Sequence, residues 1–359
     1  MRKVVMQLHT ADARGVVASG GAMICPLNEA TAATVRREIN GEYSLTVKMP
    51  PAAANIDEIQ IGRAIKAAVN EAGKEQYFII KRRRRSLSGG IDVYAEHQSY
   101  YYNGCILRGG GASAAGTPAL TYNQVWNNAH PDVRQVGTFT NHLTGKTTTQ
   151  KVVPMVTSPS SVREQLLGRL IDTFGGEMDF DGFNVDWKDA LGADNGALYR
   201  YGYNLTEMES EDVLDGYASG VFPFWGSIDP RTNAGIVTIS GWTLNFPGTF
   251  PLEVIIPLDL TKQFDTEPTA AQLEAAAQEY IAQHTTTGVP ISITANRARI
   301  EGDVPVDLGD TVTVVNTPWG ISQKTRIFAL NFDALRCRVE SVEFGTVNPG
   351  FAGAVKNMK

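Results

Sequence analysis

The sequence predicts a mainly β fold with α+β insertions, and three observations support this. The 35 glycines and 17 prolines among 359 residues indicate many turns, as in proteins built from many short strands. Apolar and polar residues alternate near both ends of the chain, with the period of two that is typical of half-buried strands. Two internal segments instead show helical spacing, and a capping box marks the start of each.

The composition is that of a folded protein with an acidic balance. Hydrophobic residues make up 43% of the chain and charged residues 19%, which fits a soluble globular protein and argues against disorder. Lys and Arg number 32 against 38 Asp and Glu, so the net charge is −6. General nucleic-acid binders are usually basic, so any nucleic-acid contact would have to be local. The length favours roughly two or three domains.

The three cysteines, Cys25, Cys105 and Cys337, are far apart and lack CxxC spacing. This pattern disfavours a disulfide framework and a zinc site, so we expect reduced and mostly buried thiols, as in a reducing cytoplasm. The start of the chain lacks the apolar run of a signal peptide, and no apolar stretch approaches the roughly 20 residues of a membrane helix. We therefore expect no export by that route and no membrane-spanning segment.

The first strands follow from local patterns. "INGEYSLTVKMP", residues 39–50, contains an Asn-Gly turn, after which Tyr43, Leu45, Val47 and Met49 share one face of a predicted strand. "IQIGRAIKAAVN", residues 59–70, alternates again and ends in a polar turn.

Five consecutive basic residues, Lys81–Arg85, stand beside a tyrosine cluster in "QYFIIKRRRRSLSGGIDVYAEHQSYYY". We interpret residues 77–85 and 91–97 as an exposed hairpin around a Ser-Leu-Ser-Gly-Gly loop, with Asp92 and Glu96 facing the basic strand. Two alternatives stay open at this point. One is a phosphate or nucleic-acid contact with the tyrosines as stacking platform. The other is contact with an acidic partner protein.

The middle of the chain changes character. "RGGGASAAGTP", residues 108–118, is predicted to be an extended or flexible loop, and "TYNQVWNNA" a short helix. Ser161 and Glu164 form a capping box before a helix that Gly175 and Gly176 end. Its apolar face contains Val162, Leu166, Leu167, Leu170, Ile171 and Phe174. A hairpin turning at Asp181-Gly182 follows, so we assign 104–197 to a small α+β domain.

Strands resume from residue 198, in "ALYRYGYNL", "ASGVFPFWGS" and "GIVTISGW". Thr269 and Gln272 form a second capping box, before a helix that ends near His284. The chain then returns to alternating strands in "ISITANRARI", "VDLGDTVTVV", "SQKTRIFALNF" and "RCRVESVEFG".

No histidine or aspartate pattern rises to a metal site. His130 and His142 lie in a polar stretch without metal-ligand spacing, and we expect surface positions. Asp179, Asp181 and Asp186 are faintly similar to a calcium loop, but Ala190 occupies the position where such a loop needs its bidentate Glu. We therefore interpret this segment as a hairpin turn.

Catalytic motifs are equally lacking. "GYASG" has Tyr217 where a nucleophile elbow needs Ser, and "RGGGAS" lacks the Gly-Lys-Ser/Thr of a P-loop. The "SYYY" stretch and the five tryptophans are interpreted as core and sheet packing rather than as a sugar or base platform. We therefore predict no enzyme activity and nominate no catalytic, cofactor-binding or metal-ligating residue.

Several segments together resemble the amino-terminal hub region of siphophage tail-tip proteins, the tail-associated lysin (Tal) or prophage endopeptidase tail family. "NGEYSLTVKMP" resembles its "NGEYxL" strand ending at Pro, and "GRAI", "QYFII" and "VYAEHQSY" resemble its "GxxI", "QxFxI" and "VYAEHxSY" segments. "GGEMDFDGFNVDWKDALGADNGALYRYGYNLTEMESEDV" and "VPVDLGDTVTVVNTPWGISQKTRIFALNFDALRCRVESVEFG" are similar to two later family segments. The resemblance runs from about residue 39 to residue 345.

The resemblance implies a baseplate-hub-like fold, similar to hubs of contractile tails and to type VI secretion spikes. Two related antiparallel β-barrel domains and two smaller α+β domains are expected. The first barrel covers 1–103 and the second covers 198–245 with 296–348. One α+β domain covers 104–197, and the other covers 246–295 with 349–359. Three chains would form a closed ring with heterologous contacts.

The implied partners are those of a distal tail tip in a phage virion, after synthesis in the bacterial cytoplasm. They are a homotrimer of this chain, a hexameric distal tail protein, the tail tube and tape-measure protein, and receptor-binding or fibre proteins. DNA would pass through the ring without specific binding.

The family's lytic activity lies beyond the hub, and the sequence ends at Lys359, soon after the hub-like segment closes at Gly345. We therefore expect either a short hub-only protein or a longer one that was cut. Two rival functions stay open. One is a cell-wall hydrolase or carbohydrate-binding module of a phage tail, and the other is a nucleic-acid binder acting through Lys81–Arg85.

Overall fold

The structure is a computed structural model, and it describes residues 5–12, 14, 16–17, 22–87, 90–107, 114–144, 151–153, 159–212, 219–228, 235–239, 244–246, 253–264, 266–284, 291–297 and 304–344. The predicted loop at 108–113 and the segment 349–359 lie outside the described residues. The strands are β1 (Gln7–His9), β2 (Met23–Pro26), β3 (Ala32–Glu38), β4 (Tyr43–Met49), β5 (Ala64–Ala68), β6 (Glu75–Arg85), β7 (Ile91–His97), β8 (Ile106–Leu107), β9 (Ala114–Gly116), β10 (Ala129–His130), β11 (Phe139–Asn141), β12 (Lys151–Val153), β13 (Ser160–Ser161), β14 (Glu177–Asp181), β15 (Asn184–Lys188), β16 (Asp194–Arg200), β17 (Leu205–Asp212), β18 (Gly220–Ile228), β19 (Gly235–Ile239), β20 (Leu244–Asn245), β21 (Ile255–Asp259), β22 (Ile291–Arg297), β23 (Thr311–Asn316), β24 (Ile321–Asp333) and β25 (Arg338–Phe344). The α-helices are α1 (Pro118–Asn127), α2 (Val162–Glu164), α3 (Ile171–Phe174) and α4 (Ala270–His284).

Thirteen of the described strands form one large sheet, and the prediction of a mainly β fold is confirmed. Its order is β17-β22-β25-β24-β3-β4-β7-β6-β5-β1-β2, with β23 attached through β24 and β16 through β23. The strands that the sequence analysis assigned to two barrels thus meet in one sheet, through the pairing of β3 with β24. Pairing within this sheet is antiparallel except between β16 and β23, which run parallel.

The two predicted hairpins of the first region are present. β3 and β4 pair around a turn in which Asn40 adopts a φ of 52°, a left-handed conformation that Asn tolerates. Tyr43, Leu45, Val47 and Met49 are all buried, as their alternation predicts. β6 and β7 pair from Phe78 opposite His97 to Arg85 opposite Ile91, so the basic run forms one strand of a hairpin.

The predicted helix after residue 161 is present, with an internal change of winding. Ser161 Oγ accepts a hydrogen bond of 3.1 Å from the Glu164 N–H, which confirms the cap. A π-helical segment, Gln165–Leu170, separates α2 from α3, and Gly175 ends the helix with a φ of 74°. The apolar helix face packs toward β15, where the rings of Phe174 and Trp187 lie 5.9 Å apart. The hairpin β14–β15 and the parallel neighbour β11 complete a small sheet.

A second, smaller core lies apart from the large sheet. β18, β19 and β20 pair with one another and with β21 in a separate four-stranded sheet. The physical reason is a separate hydrophobic cluster: Val221 and Trp225 of β18 pack with Leu273 and Ala277 of α4. The Thr269–Gln272 capping box at the start of α4 is confirmed, with bonds of 2.8 and 3.3 Å in the two directions. The domain limits stay a prediction.

No helix in the described part of the chain is both long and apolar enough to cross a membrane.

One close backbone approach joins the loop after β15 to the loop before β23. A Cβ atom on Gly192 would lie 2.2 Å from the carbonyl carbon of Gly309, closer than real contacts allow. Gly196 has the same φ of 73° but open space around its Cα. The two positions therefore separate the effect of backbone conformation from the effect of crowding.

We predict that Gly192→Ala lowers the free energy of unfolding more than Gly196→Ala does. Both substitutions place a side chain at positive φ, at a cost of about 1–2 kcal/mol. Only the first also forces the loop at Gly309 to move, which adds roughly 1–3 kcal/mol. Urea unfolding of both variants measures the difference, and equal midpoints would contradict the close approach.

Candidate functional site

The aspartates considered as a calcium loop lie on the β14–β15 hairpin, as predicted. Asp179 and Asp186 are opposite each other in the strand register, with Lys188 Nζ 2.9 Å from Asp179 and 4.0 Å from Asp186. Asp181 accepts a hydrogen bond of 2.6 Å from Gln76 Nε2. Since each carboxylate has a cation or amide beside it, the segment is held as a hairpin. The described residues contain no group of three or more His, Cys, Asp or Glu arranged to hold a metal ion.

No disulfide joins the three cysteines in the structure. Cys25 and Cys105 are buried, and Cys337 is half-buried. Burial raises the pKa of Cys105, and burial together with the nearby Glu58 raises the pKa of Cys25. Both thiols are therefore protonated at neutral pH, which makes them poor nucleophiles.

The tyrosine cluster is packed against neighbouring side chains and is not an exposed surface on which bases or sugars could stack. Tyr102 is fully buried, and its hydroxyl donates a hydrogen bond to the Phe183 carbonyl. The Arg163 guanidinium covers the Tyr100 ring at 4.0 Å, and burial raises the pKa of Tyr101 to about 12. Three of the tryptophans are buried as well: Trp126, Trp187 and Trp225. These rings fit the predicted core role.

Residues of β7 balance part of the positive charge at the end of β6. Lys81 Nζ lies 3.9 Å from Glu96 Oε2, a loose ion pair. The Arg82 guanidinium lies 5.1 Å above the ring of Tyr94. Glu96 therefore faces the basic strand, as predicted.

The loop before β5 supplies the other partners. Arg83 donates a hydrogen bond of 2.6 Å to the Ile59 carbonyl, and Arg85 lies 2.7 Å from Asp57. Arg84 is opposite Asp92 in the register but has no carboxylate within ion-pair distance among the described residues. The exposed-hairpin interpretation holds, with part of the positive charge left uncompensated.

Five polar residues make contacts with partners far away in the sequence, either within the large sheet or between it and the α+β region, and we call them the polar junction. They are Arg36, Arg37, Asn40, Glu177 and Arg326. None of them is predicted from the sequence as a site residue, because their partners lie far away along the chain and no local spacing marks them.

Arg326 and Glu177 form a bidentate ion pair. The guanidinium of Arg326 binds both carboxylate oxygens of Glu177, each at 2.9 Å, and also donates to the Leu191 and Gly309 carbonyls at 2.9 and 3.1 Å. The hydrogen bonds that Arg326 donates to Glu177 raise the pKa of Arg326 despite partial burial. Because Glu177 is on β14 and Arg326 on β24, this pair attaches the α+β hairpin to the large sheet.

The two arginines of β3 bind the other half of the large sheet. Arg36 Nη1 lies 2.7 Å from Glu343 on β25 and also pairs with Glu38. Arg37 pairs with Asp307 and lies over the Tyr43 ring at 5.4 Å. Burial alone lowers the pKa of Arg37, but its charged and aromatic neighbours offset this and raise it overall.

Asn40 closes the polar junction through the β3–β4 turn. Its side chain accepts a hydrogen bond of 2.8 Å from the Met178 N–H and donates one of 3.1 Å to the Gly176 carbonyl. Arg163 donates at 2.9 Å to the Gly41 carbonyl in the same turn. The turn that the sequence predicts is thus also a tertiary contact.

His97 lies buried beside the polar junction. Its ring stacks on Tyr43 with centroids 4.1 Å apart, and its nitrogens lie 3.1 Å from Gln76 Oε1 and 2.9 Å from Ser99 Oγ. Burial, with a smaller contribution from nearby cations such as Arg163, lowers the pKa of His97 well below its ordinary value. The ring is therefore neutral and structural.

The carboxylates that contact the arginines of the polar junction are all held in ion pairs: Glu38, Glu177, Asp307 and Glu343. Such an arrangement holds segments in place and does not supply a proton donor or acceptor to a substrate. Its chemistry is that of a joint between structural units.

No family model and no curated protein sequence matches the chain. Solved tail proteins share its fold across almost their entire length. Prophage tail protein gp18 of Listeria monocytogenes EGD-e matches 99% of this chain and 98% of its own, with a TM-score of 0.59 and 13% identity. A tail protein of Neisseria meningitidis MC58 matches 98% of each chain, with a TM-score of 0.60 and 12% identity. The 43 kDa tail protein of prophage MuSo2 from Shewanella oneidensis matches 97% of this chain and 99% of its own, with a TM-score of 0.60 and 12% identity.

We predict that Glu177→Ala lowers the free energy of unfolding by about 3–5 kcal/mol, because it leaves the Arg326 guanidinium partly buried without its carboxylate. The matched control is Asp194→Ala, which removes an exposed ion pair of 2.7 Å with Lys324 on the same strand as Arg326. Exposed pairs contribute little, so the control stays near the wild type. Denaturant unfolding measures both variants, and equal losses would contradict a structural role specific to the polar junction.

We also predict that His97 makes stability depend on pH. The unfolded chain takes up a proton near the ordinary His pKa of about 6.5, whereas the folded chain does not. The contribution of neutral His97 is complete above about pH 6.5 and is lost as the pH falls toward the lowered folded pKa. Between about pH 6.5 and 5, the wild type should lose up to roughly 1.4 kcal/mol per pH unit more than His97→Gln. Parallel stability curves for the two proteins would contradict a buried neutral His97.

Proposed function

We propose that this chain is a structural protein of a phage or prophage tail and forms a homotrimeric hub at the distal end of the tail tube. The observation that carries the proposal is the fold shared with tail proteins over at least 97% of the chain. The resemblance in sequence to tail-tip hub proteins points to the distal location. The hub closes the tube in the virion and is synthesised in the bacterial host.

The partners in this proposal follow from that location. The ring docks on a hexameric distal tail protein, contacts the tail tube and tape-measure protein, and carries receptor-binding or fibre proteins. DNA passes through it without specific binding, which agrees with the net charge of −6. A non-enzymatic role agrees with the polar junction, whose carboxylates are all paired with arginine.

The proposed domain arrangement divides the large sheet at the β3–β24 pairing. The first barrel domain, 1–103, contributes the strands from β1 to β7. The second contributes β16, β17 and β22–β25, which bond to one another and to β3. Residues 219–284 belong with the peripheral α+β domain in this arrangement, because β18–β21 and α4 have their own sheet and core.

We predict that the purified chain self-assembles into a trimer. Light scattering on a sizing column, over a range of concentrations, should give a mass near three times the 38.9 kDa of one chain. A mass of one chain at every concentration, or one that fits only a dimer, contradicts a self-assembling trimeric hub.

A parallel assay separates the hub from a tail hydrolase. The protein is incubated with purified peptidoglycan, with lysozyme as the positive control, and soluble fragments are measured. A structural hub releases none, whereas release by the trimer peak would overturn the non-enzymatic proposal.

A further inference from the structure

The outer side of β6 changes character near Ile80. Up to residue 79, β6 pairs with β5 on this side. The Gly62 N–H then donates to the Ile80 carbonyl at 2.9 Å, and the Ile80 N–H donates to the Arg63 carbonyl at 2.9 Å. Beyond this point the backbone of Lys81–Arg85 pairs with β7 only, among the described residues. We call the outer side of Lys81–Arg85 the basic edge.

The basic edge is exposed except at Arg83, which is half-buried and bonds to the loop before β5, as Arg85 also does. The edge carries more positive charge than its surroundings compensate. Arg82 lies over the ring of Tyr94 instead of beside a carboxylate. Arg84 has no carboxylate within ion-pair distance in the described part of the chain. A register shift between Ile80 and Arg82 indicates a β-bulge there. Charges and bulges on a free edge oppose pairing with an identical edge of another copy, since like charges would meet. They do not oppose pairing with an edge of opposite charge.

The opposite charge occurs at one end of the large sheet. β17 is the terminal strand, and it pairs with β22 on one side. On the other side, its first residue, Leu205, bridges to Tyr201, and the rest of β17 pairs with no described strand. Its sequence, LTEMESED, contains four acidic residues within eight. Met208, which packs against the main core, alternates in this sequence with Glu207 and Glu209. We call the outer side of β17 the acidic edge.

Exposed apolar side chains accompany both edges. Leu87 follows the basic edge and is fully exposed, and Ile61 in the neighbouring loop is 69% exposed. Tyr201 and Tyr203 precede β17 and are 57% and 54% exposed. Antiparallel pairing of the two edges would place the end of β6 beside the start of β17, so that Leu87 and the two tyrosines lie at the same end and bury each other.

We propose that the acidic edge of one copy adds as an antiparallel strand to the basic edge of a second copy. The proposal rests on the homotrimer of the proposed function, and it supplies the ring contact that the homotrimer requires. Two different edges of the same chain meet, so the contact is heterologous and repeats around a ring. Main-chain hydrogen bonds supply affinity, and the charge pattern selects this edge over the other free edges.

Charge reversal tests the contact. Arg82→Glu with Arg84→Glu places like charges at the interface and should weaken association roughly a hundredfold. The control, Arg14→Glu with Arg134→Glu, changes the net charge equally at two exposed arginines that each pair locally, with Asp12 and Asp132 at 2.8 Å. Association of the control should match the wild type. Circular dichroism checks that both variants are folded.

A swapped variant separates lost complementarity from simple damage. Adding Glu209→Arg and Glu211→Arg to the basic-edge variant restores opposite charges with their positions exchanged. The association constant of the swapped variant should return to within roughly threefold of the wild-type value. Added salt should weaken association of both the wild type and the swapped variant. Folded basic-edge variants that assemble as the wild type does, or a folded swapped variant that does not recover, would overturn the proposed contact.

The outcomes also separate this contact from the proposed function. If the trimer forms equally well after charge reversal, the hub proposal stands and the proposed contact between the two edges is contradicted. If the wild type is a monomer at every concentration, a synthetic peptide with the sequence of Leu205–Asp212 is titrated onto it. Binding that is lost in the basic-edge variant supports the contact without self-assembly, and equal or absent binding overturns it.

Discussion

The pairing of β3 with β24 is the constraint on which the rest of the structure depends. These strands are almost a full chain length apart in sequence, so their pairing carries the entropy cost of a long closed loop. Arg36 and Arg37 secure it at its edges through Glu343 and Asp307, at the half-buried places where the two halves of the large sheet meet. Removing this pairing would leave two smaller sheets and two sets of unpaired charges.

The α+β region depends on the same joint. Arg326 extends from β24 to Glu177, and Asn40 extends from the β3–β4 turn to the backbone of β14. Partly buried ion pairs contribute little net stability but impose a large penalty on any arrangement that separates them. In the proposed tail role the chain has to present several partners at fixed relative positions, and ion pairs of this kind suit that requirement better than an apolar surface that could slide.

At the sheet edges, charged residues affect pairing with other sheets rather than the positions of segments within the fold. A large open sheet risks pairing with any other sheet, and basic residues with a bulge limit that risk at the exposed end of β6. The acidic sequence of β17 leaves the opposite end of the sheet with the opposite sign. The acidic net charge of the whole protein therefore includes one strand with a strongly basic sequence and one with a strongly acidic sequence, a difference that bears on association rather than on the fold.

Local chemistry in the sequence determined the hairpins, the capping boxes and the mainly β class, because these depend on residues within a few positions of one another. The resemblance to tail proteins also came from sequence, through ordered segments, and the shared fold agrees with it. Only the tertiary structure decided that β18–β20 join β21 and α4, since an alternating strand fits any sheet equally well. The same holds for the pairs Arg37–Asp307 and Arg326–Glu177, whose partners lie at sequence separations over which no periodic pattern extends. Hydrophobic periodicity and helix capping depend on residues that are neighbours in sequence. Which sheet a strand joins, and which residue an ion pairs with, depend on how the whole chain packs.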